Sequence, residues 1–566
     1  MNTFRYPGAW PAVVDFIAAT GTHTIFGLPG DDLNLVSALR GGPVRLLLCR
    51  DQRNAAFMAT GFATQSGGPG VCVVGKGPAT TNALTGILEA RCGAVPLMVL
   101  AAGTAVAQRG HRAFQELDQL AFIRPMVKWA ERIDHPDRLV PALETAWATA
   151  AHGAAGPVYL ELPDHLTTTP IDRHRPWQIG LEQSVEYRCD PASNALALIR
   201  SSRRCAILVG GGARHRNHGG VLQCFAEHIG APLFATASGR GAVDEDHELF
   251  LGLAGLYLRP DAARIWRELD LVISLGSRLE ETARFGWEAA PPPVVQVNIA
   301  AEEFSADHEG PRVLGDLLAV VRAWLTELPQ RERDTAWFSQ IAEARTRMFD
   351  EAKRLLAVDP PRDGRIRVAA VLATMDATLP VNRITVQENG LQDMWSYLFP
   401  FHQVRSGAGV VAPSEQTPLG FGAAASGGVA VAAPDRLVVA FVGDGAFELF
   451  GGDLATFARE RLGVLFVVLC NGGYGWLQSQ LNHNHPGSYP GLFADDSRPP
   501  LATSGIEGVR DRVVTDLAAL RAELRTAARH CQSGGIAIVR VPVALSDEPP
   551  GIAESAADSN SLKVPM

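Results

Sequence analysis

From about residue 10 to residue 165 the chain alternates short apolar, β-branched runs with amphipathic stretches of helical length. The apolar runs are "THTIFG", "VRLLLC", "VCVVG", "VPLMVLAA" and "PVYLELP". Strands that recur at the spacing of an intervening helix predict a parallel sheet, because each parallel crossover needs a connection of that length. A polar, proline-bearing stretch, "TTTPIDRHRPWQIGLEQSVEYRCDP", then breaks the period and reads as a linker. The alternation resumes with "CAILVGGG", "DLVISLGS" and "VVQVNI", and again beyond Arg365 with "RITVQENG", "RLVVAFVGDG", "GVLFVVLCN" and "GIAIVRVPV". The predicted fold class is therefore α/β: three doubly wound parallel-sheet domains at residues 1–170, 190–345 and 365–545. The remaining segment, 546–566, is polar and poor in aromatics, and a mobile tail is expected there.

Composition narrows the function classes. The 566 residues are 47% hydrophobic and 20% charged with a formal net charge of -9, which argues against nucleic acid as a partner, since phosphate recognition wants clustered Lys and Arg. The N-terminus "MNTFRYPGAWPAVVDF" has no basic segment followed by an apolar one, and no apolar run approaches the roughly 18 residues of a membrane span. A cytoplasmic protein without a membrane partner is expected. Eight cysteines at 49, 72, 92, 189, 205, 224, 470 and 531 form no CxxC pair, so reduced, mostly buried thiols are expected rather than a zinc ribbon or a disulfide framework.

The segment "LVVAFVGDGAFELFGGDLATFARERLGVLFVVLCNGGYG", Leu437 to Gly475, carries the clearest chemistry. One strand ends at Gly443-Asp444-Gly445, a helix follows, and the next strand ends at Asn471-Gly472-Gly473. Ligands of an open parallel sheet sit beyond the carboxyl ends of its strands, so Asp444 and Asn471 are expected side by side. A carboxylate, an amide oxygen and a backbone carbonyl in a glycine turn are hard ligands suited to Mg²⁺. A helix starting near Ala446 would aim its N-terminal amides at a phosphate there. A metal-bridged diphosphate is the expectation.

A GDG at a strand end, followed one helix and one strand later by N-G-G-Y-G, resembles the thiamine diphosphate (ThDP) motif. Further stretches, "FGLPGDDLNLVSAL", "GPATTNALTGILEA", "AFQELDQ", "RPMVKW", "ENGLQDMW" and "TPLGFGAAASGGVAVAAPDR", extend the likeness over nearly the whole chain. They are similar to acetolactate synthases and related 2-oxo acid decarboxylases. The resemblance implies a pyrimidine-binding, a middle and a diphosphate-binding domain. It implies that Asp444, Asn471 and the Gly473 carbonyl hold Mg²⁺, that Leu391, Gln392, Gly445 and Ala446 line the diphosphate, and that Tyr474 belongs to the same site. It places Leu419 under the thiazolium, the Thr417 carbonyl at the 4'-amino group, and Pro29, Pro78 and Asn82 at the pyrimidine. Gln115 and Phe114 would approach the reactive carbon. Substrates would be a 2-oxo acid and a second carbonyl compound, and a homodimer or homotetramer follows from active sites shared between subunits.

Three successive positions depart from the family. Aligned with R-H-E-Q-(G/N)-A-A-F-M-A, the segment "RDQRNAAFMATGFA" puts Asp51 on the His, Gln52 on the catalytic Glu and Arg53 on the Gln. Gln52 can hydrogen-bond the pyrimidine N1' but cannot share a proton as a carboxylate does. Asp51 could replace the acid only through a local bulge, since neighbouring side chains at a strand end face opposite ways. Glyoxylate carboligases, a branch of the same family, also lack the acid, which favours ligation: aldehyde release protonates carbon, whereas ligation leaves an alkoxide that is protonated more easily. The alternatives are a decarboxylase releasing an aldehyde and a cofactor-binding but inactive protein.

Smaller departures bear on the substrate. Gln480 stands where acetolactate synthases have a pocket-shaping Trp, and "AQRGHRAFQ" offers a single histidine, His111, either a surface residue or a proton carrier. In the middle domain Arg278 matches a residue that helps bind FAD, but Asn298 replaces the usual Asp, so FAD is one candidate beside another nucleotide or an empty fold. Three other segments read plainly. "GVCVVGKG" lacks the Ser or Thr of a P-loop and is a strand and turn, "GGGARHRN" is a tight turn, and "NHNHPG" with His483 and His485 is expected to be a flexible loop.

Overall fold

Apart from "VRLLLC", whose strand Arg45–Leu48 is a partly exposed edge, the apolar runs form strands buried on both faces, as parallel sheets covered by helices require. The computed structural model describes residues 4–30, 33–180, 193–214, 219–287, 291–357 and 364–550. Three six-stranded sheets, each wholly parallel, stand one in each expected domain. The first runs in the order Arg45–Leu48, Thr24–Leu28, Gly70–Val74, Leu97–Gly103, Pro157–Pro163, Trp129–Arg132. The second runs Phe250–Leu253, Leu233–Ala235, Cys205–Val209, Leu271–Leu275, Val294–Asn298, Arg312–Leu314, and the third Gly409–Val411, Ile384–Gln387, Val438–Gly443, Val464–Cys470, Ile536–Pro542, Val509–Val513.

The third sheet positions the chemistry. From Ile384–Gln387 the chain goes outward to Gly409–Val411, then returns on the other side to Val438–Gly443, which pairs with Ile384–Gln387 from Ile384↔Val438 onward. The strand order therefore reverses between these two neighbours, and the crevice at such a reversal is where ligands bind. The segments leaving it are Glu388–Asp393 on one side and Gly443–Asp444 on the other.

The first and third sheets share one core. The helix Gln52–Ser66, here the corner helix, crosses the helix Phe421–Ala432, and Ala55 to Ala59 join Phe421, Ala423 to Ala425 and Val429 in one buried cluster with strands of both sheets. Phe57 meets Phe421 edge-on at 5.5 Å between ring centroids. The approach is as close as backbones allow. A Cβ on Gly428 would stand 1.7 Å from the Met58 carbonyl oxygen, and one on Gly61 would stand 2.2 Å from that of Ala425.

Two segments expected to lie outside the sheets are partly ordered. Within the linker, Ile171–Arg173 pairs antiparallel with Phe4–Tyr6, and Trp177 donates its indole N–H to Asp15 at 2.8 Å; its residues 181–192 fall outside the described ones. The tail is docked where it begins. Asp547 is buried, accepts the Val368 N–H at 2.7 Å, and offers its carbonyl to the Trp395 indole at 3.0 Å. The reason is polar satisfaction: Trp395 is buried, and its N–H needs an acceptor that the polar tail supplies. The tail beyond Pro550 is outside the described residues.

Among the described residues no helix is long and apolar enough to cross a membrane. Every cysteine among them is free.

The helix crossing gives a direct test. Gly428→Ala gains helix propensity of about 1 kcal/mol but overpacks a backbone contact, at a cost of about 1–3 kcal/mol or more. Urea unfolding should show a net loss of stability, and an unchanged midpoint would mean that the two helices do not close on each other.

Candidate active site

Gly443 ends its strand beside Leu469 of the next, so the two following turns share one edge. The helix expected near Ala446 begins two residues earlier and runs Asp444–Phe450. The Asp444 carboxylate faces the second turn: Oδ2 accepts the Gly472 N–H at 2.9 Å, and Oδ1 accepts those of Gly445 at 3.0 Å and Gly473 at 3.2 Å. Gly472 and Gly473 have φ of +92° and +141°, which L side chains rarely adopt, so the sequence Asn-Gly-Gly is what allows this wrap. Asn471 is buried, accepts the Gly473 N–H on Oδ1 at 3.2 Å and donates from Nδ2 to Gln392 Oε1 at 2.5 Å. Gln392 in turn donates to the carbonyls of Ala544 and Leu545, each at 3.3 Å.

Two buried carboxylates, Glu388 and Asp393, and the half-buried Asp444 lie around this turn. Burial pushes Asp444 up to about 6 and Glu388 up to about 8. Asp393 is driven well above the usual carboxylate range by burial and then by Glu388. Asp393 Oδ2 accepts the Gly443 N–H at 3.2 Å, while its Oδ1 is buried with no hydrogen-bond partner. Acids held toward the protonated form by burial give up their protons to a cation bound beside them, so the cluster favours one. The described residues hold no group of three or more His, Cys, Asp or Glu able to bind a metal. A cation here would therefore rest on Asp444 together with amide and carbonyl oxygens. That donor set fits Mg²⁺.

A cavity of about 1350 Å³ opens from this turn toward the middle domain. Leu391, Gln392, Thr417, Leu419, Ala446, Asn471, Gly473 and Tyr474 line it, whereas Asp444 and Gly445 do not. Thr417 stands at φ +42°, a left-handed conformation unusual for a β-branched residue, and Leu419 is 37% exposed. The middle-domain part of the cavity includes Gly211, Ser277, Arg278 and Asn298. Arg278 is already paired, to Glu303 at 2.6 Å and Glu280 at 3.3 Å, and donates to the Cys92 carbonyl at 2.7 Å. Asn298 Nδ2 donates to the carbonyls of Ser277 and Glu303.

The pyrimidine-domain residues gather elsewhere. Gln52 is the first residue of the corner helix, and its Oε1 accepts from Asn82 Nδ2 at 2.7 Å. With the amide so assigned, Gln52 Nε2 is a spare donor. Asn82 and Pro78 lie on the helix Pro78–Cys92. Gln115, at φ +56°, rests against Gly77, where a Cβ would meet its carbonyl oxygen at 2.9 Å. His111 and Phe114 are exposed in the same loop, which is closed by Glu116 accepting the N–H groups of Gly110 and Ala113. Gln52, Pro29, Pro78, Asn82, His111 and Gln115 do not line the cavity of this chain.

The question about Asp51 has a structural answer. Asp51 has extended backbone and caps the corner helix, Oδ1 accepting the N–H groups of Arg53 at 2.8 Å and Asn54 at 3.3 Å. No bulge brings it into the place of Gln52. The corner is also tied to the third domain by a residue the sequence did not single out: buried Asp453 accepts the Arg50 N–H at 2.7 Å and Asn54 Nδ2 at 2.8 Å. A flexible loop was expected at His483 and His485, but a helix runs Gly475–Asn484. It is held by buried Gln478, which accepts the Phe493 N–H at 2.9 Å. Both histidines are exposed at its end. The P-loop imitation is a strand, Gly70–Val74, and Lys76 pairs with Asp164 at 2.5 Å.

Comparison with known proteins agrees with this geometry. Residues 10–122 match the thiamine pyrophosphate enzyme N-terminal TPP binding domain, 192–324 the central domain, and 389–541 the C-terminal TPP binding domain. The chain belongs to the thiamine pyrophosphate enzyme family. It is 28% identical over 470 residues to the acetolactate synthase isozyme 2 large subunit of Escherichia coli (strain K12), covering 82% of this chain and 83% of that protein. It is 30% identical over 472 residues to the probable 2-ketoarginine decarboxylase AruI of Pseudomonas aeruginosa, covering 82% of each. The acetolactate synthase large subunit of Lactococcus lactis subsp. lactis is 27% identical over 476 residues, 82% of this chain and 81% of that one. The protein is a ThDP-dependent enzyme of the acetolactate synthase type.

The buried acids make the site's electrostatics measurable. Glu388 titrates at a higher pH folded than unfolded, so its contribution to stability is full below about pH 4.5 and is lost as pH rises through about 8. In protein without added metal, Glu388→Gln should be close to wild type at pH 5 and more stable at pH 8. Denaturant midpoints across that range test this, and parallel pH curves for the two proteins would contradict it.

Proposed function

We propose that the protein is a ThDP- and Mg²⁺-dependent carboligase. It decarboxylates a 2-oxo acid and transfers the acyl carbanion to a second carbonyl compound. When bound, ThDP supplies the electron sink for the carbanion left by CO₂. Asp444, Asn471 and the Gly473 carbonyl would hold the metal. Leu391, Gln392, Gly445 and Ala446 would line the diphosphate with Tyr474 beside them, while Thr417 and Leu419 would seat the rings. Pro29, Pro78 and Asn82 would meet the pyrimidine, and His111 and Gln115 the substrates. The proposed reaction includes no flavin, because Arg278 is matched by two carboxylates and gives a diphosphate no unpaired guanidinium.

The observation that carries ligation is the neutral corner. Gln52 presents an amide whose oxygen is occupied by Asn82, and the neighbouring carboxylate of Asp51 is spent on its helix. Gln52 can orient an aminopyrimidine by donating to N1', but it has no acidic proton to give. A product that needs a proton only on oxygen is then favoured over one that needs it on carbon. The separation of the two residue sets on one chain, with Phe114 69% exposed and Leu419 37% exposed, supports a site completed by a second copy. The likeness to a probable 2-ketoarginine decarboxylase supports a second reading, 2-oxo acid decarboxylation with release of an aldehyde.

A panel of 2-oxo acids, incubated with ThDP and Mg²⁺ and followed by mass spectrometry, should yield an acyloin or a 2-hydroxy-3-oxo acid. Free aldehyde as the main product would replace the first reading by the second. Failure to bind ThDP with Mg²⁺ in calorimetry would remove both. If Gln52 only orients the ring, Gln52→Glu should keep ThDP affinity and raise exchange of the cofactor C2 proton by about 100-fold, the scale of a positioned acid or base. NMR would follow the exchange, and an unchanged or slower rate would rule out that role.

A further inference from the structure

The loop from Ser414 to Gly420 carries both Thr417 and Leu419, and it is held in an unusual way. Glu89 lies in the last turns of the helix Pro78–Cys92, in the first domain, and is buried with a relative exposure of 3%. Both its oxygens go to one residue of the third domain: Oε1 accepts the Ser414 N–H and Oε2 the Ser414 hydroxyl, each at 2.6 Å. Ser414 then shapes the loop, its Oγ accepting the Gln416 N–H at 3.2 Å and its carbonyl accepting the Thr417 N–H at 3.0 Å. The next residue, Glu415, is fixed to the middle domain, accepting the Thr282 N–H at 2.9 Å and the Thr282 hydroxyl at 2.6 Å.

A β-branched residue at positive φ persists only where its surroundings over-determine it. Thr417 is such a residue, and the turn N-terminal to it is anchored through Ser414 and Glu415 to two other domains. A carboxylate within an apolar helical stretch, "TGILEA", is costly to bury unless its partners repay it. Two short hydrogen bonds to one residue offset part of that cost, burial still pushing the carboxyl up to about 7, and they fix that residue in position and orientation.

We propose that Glu89 is a positioning residue for the cofactor's aminopyrimidine. By gripping Ser414 it sustains the left-handed Thr417 and aims the Thr417 carbonyl at the 4'-amino group. This rests on the reading of the cavity as a ThDP site. The role is distinct from catalysis, since Glu89 touches only Ser414 among the residues of the loop. It is also more than domain cohesion, because its effect should depend on one amino group of the ligand.

The test is calorimetric binding, with Mg²⁺, of ThDP and of its 4'-deamino analogue to wild type, Glu89→Gln, Ser414→Ala and the double variant, with thermal unfolding alongside. Wild type should prefer ThDP to the analogue. Glu89→Gln should bind ThDP about tenfold more weakly while its affinity for the analogue stays within twofold. Ser414→Ala should behave alike, and the double variant should be no worse than the weaker single one. Equal losses for both ligands, or no loss for ThDP, would overturn the role of Glu89 while leaving the ThDP site standing. Wild type that binds neither ligand would overturn the site reading itself, and the role of Glu89 with it. If Glu89→Gln does not fold, Ser414→Ala with the two ligands decides the matter by the same criterion.

Discussion

The close crossing of two helices, Gln52–Ser66 and Phe421–Ala432, is the constraint on which the rest of this structure depends. Glycines at 61 and 428 bring each helix against a carbonyl of the other, so two domains that could each fold around their own sheet share a core instead. The N-terminal ends of these helices carry residues of the candidate site. Gln52 opens one, and the loop with Thr417 and Leu419 leads into the other. Fixing the crossing therefore fixes the relation between the Gln52 corner and the loop of Thr417 and Leu419 on the same chain, although the two do not line one cavity. Asp453 and Glu89 act as secondary ties across the same boundary, one from each domain.

Charge is divided unevenly between the two sets of residues. The strand reversal of the third sheet collects Asp444, Glu388 and Asp393 in one cluster, all pushed toward the protonated form by burial. Such an arrangement is costly without a cation and rewarding with one. The corner set instead consists of the amides of Gln52 and Asn82, hydrogen-bonded to each other. One set is acidic and gains charge only when a cation displaces its protons, and the other is neutral and hydrogen-bonding. That division suits a ligand with a charged diphosphate at one end and a polar heterocycle at the other.

Much of this was legible in the sequence where residue type alone decides the outcome. Central strands such as "VCVVG" and "LVVAFVG" are too apolar to be anything but buried in a parallel sheet, and the GDG and Asn-Gly-Gly turns follow from their glycines. Edge strands such as Trp129–Arg132 and Val509–Val513 were not legible, because short half-polar segments become strands only when a neighbouring strand offers its open edge. Within the candidate site, several residues that line the cavity were named from the family resemblance, whereas Glu89, Asp453 and Asp393 were not. An acid in an apolar stretch signals a buried partner, but which partner depends on contacts hundreds of positions away. The docking of Asp547 was hidden for the same reason: a polar tail gives no sign that a buried indole needs its carbonyl.

The corner itself shows why its neutrality is consistent with the rest. A helix N-terminus favours negative charge close to its free amides, and Asp51 supplies that charge as the cap. A second carboxylate at position 52 would stand beside the first, and like charges so close raise the protonation range of at least one of them. In this chain the acid is placed one residue earlier, where it stabilises the helix and is consumed by it. What remains at position 52 is a side chain whose oxygen is held by Asn82 and whose amide protons are free. On the proposed reading, such a corner orients a heterocycle through its amide protons and passes it no proton, in keeping with ligation as the proposed outcome.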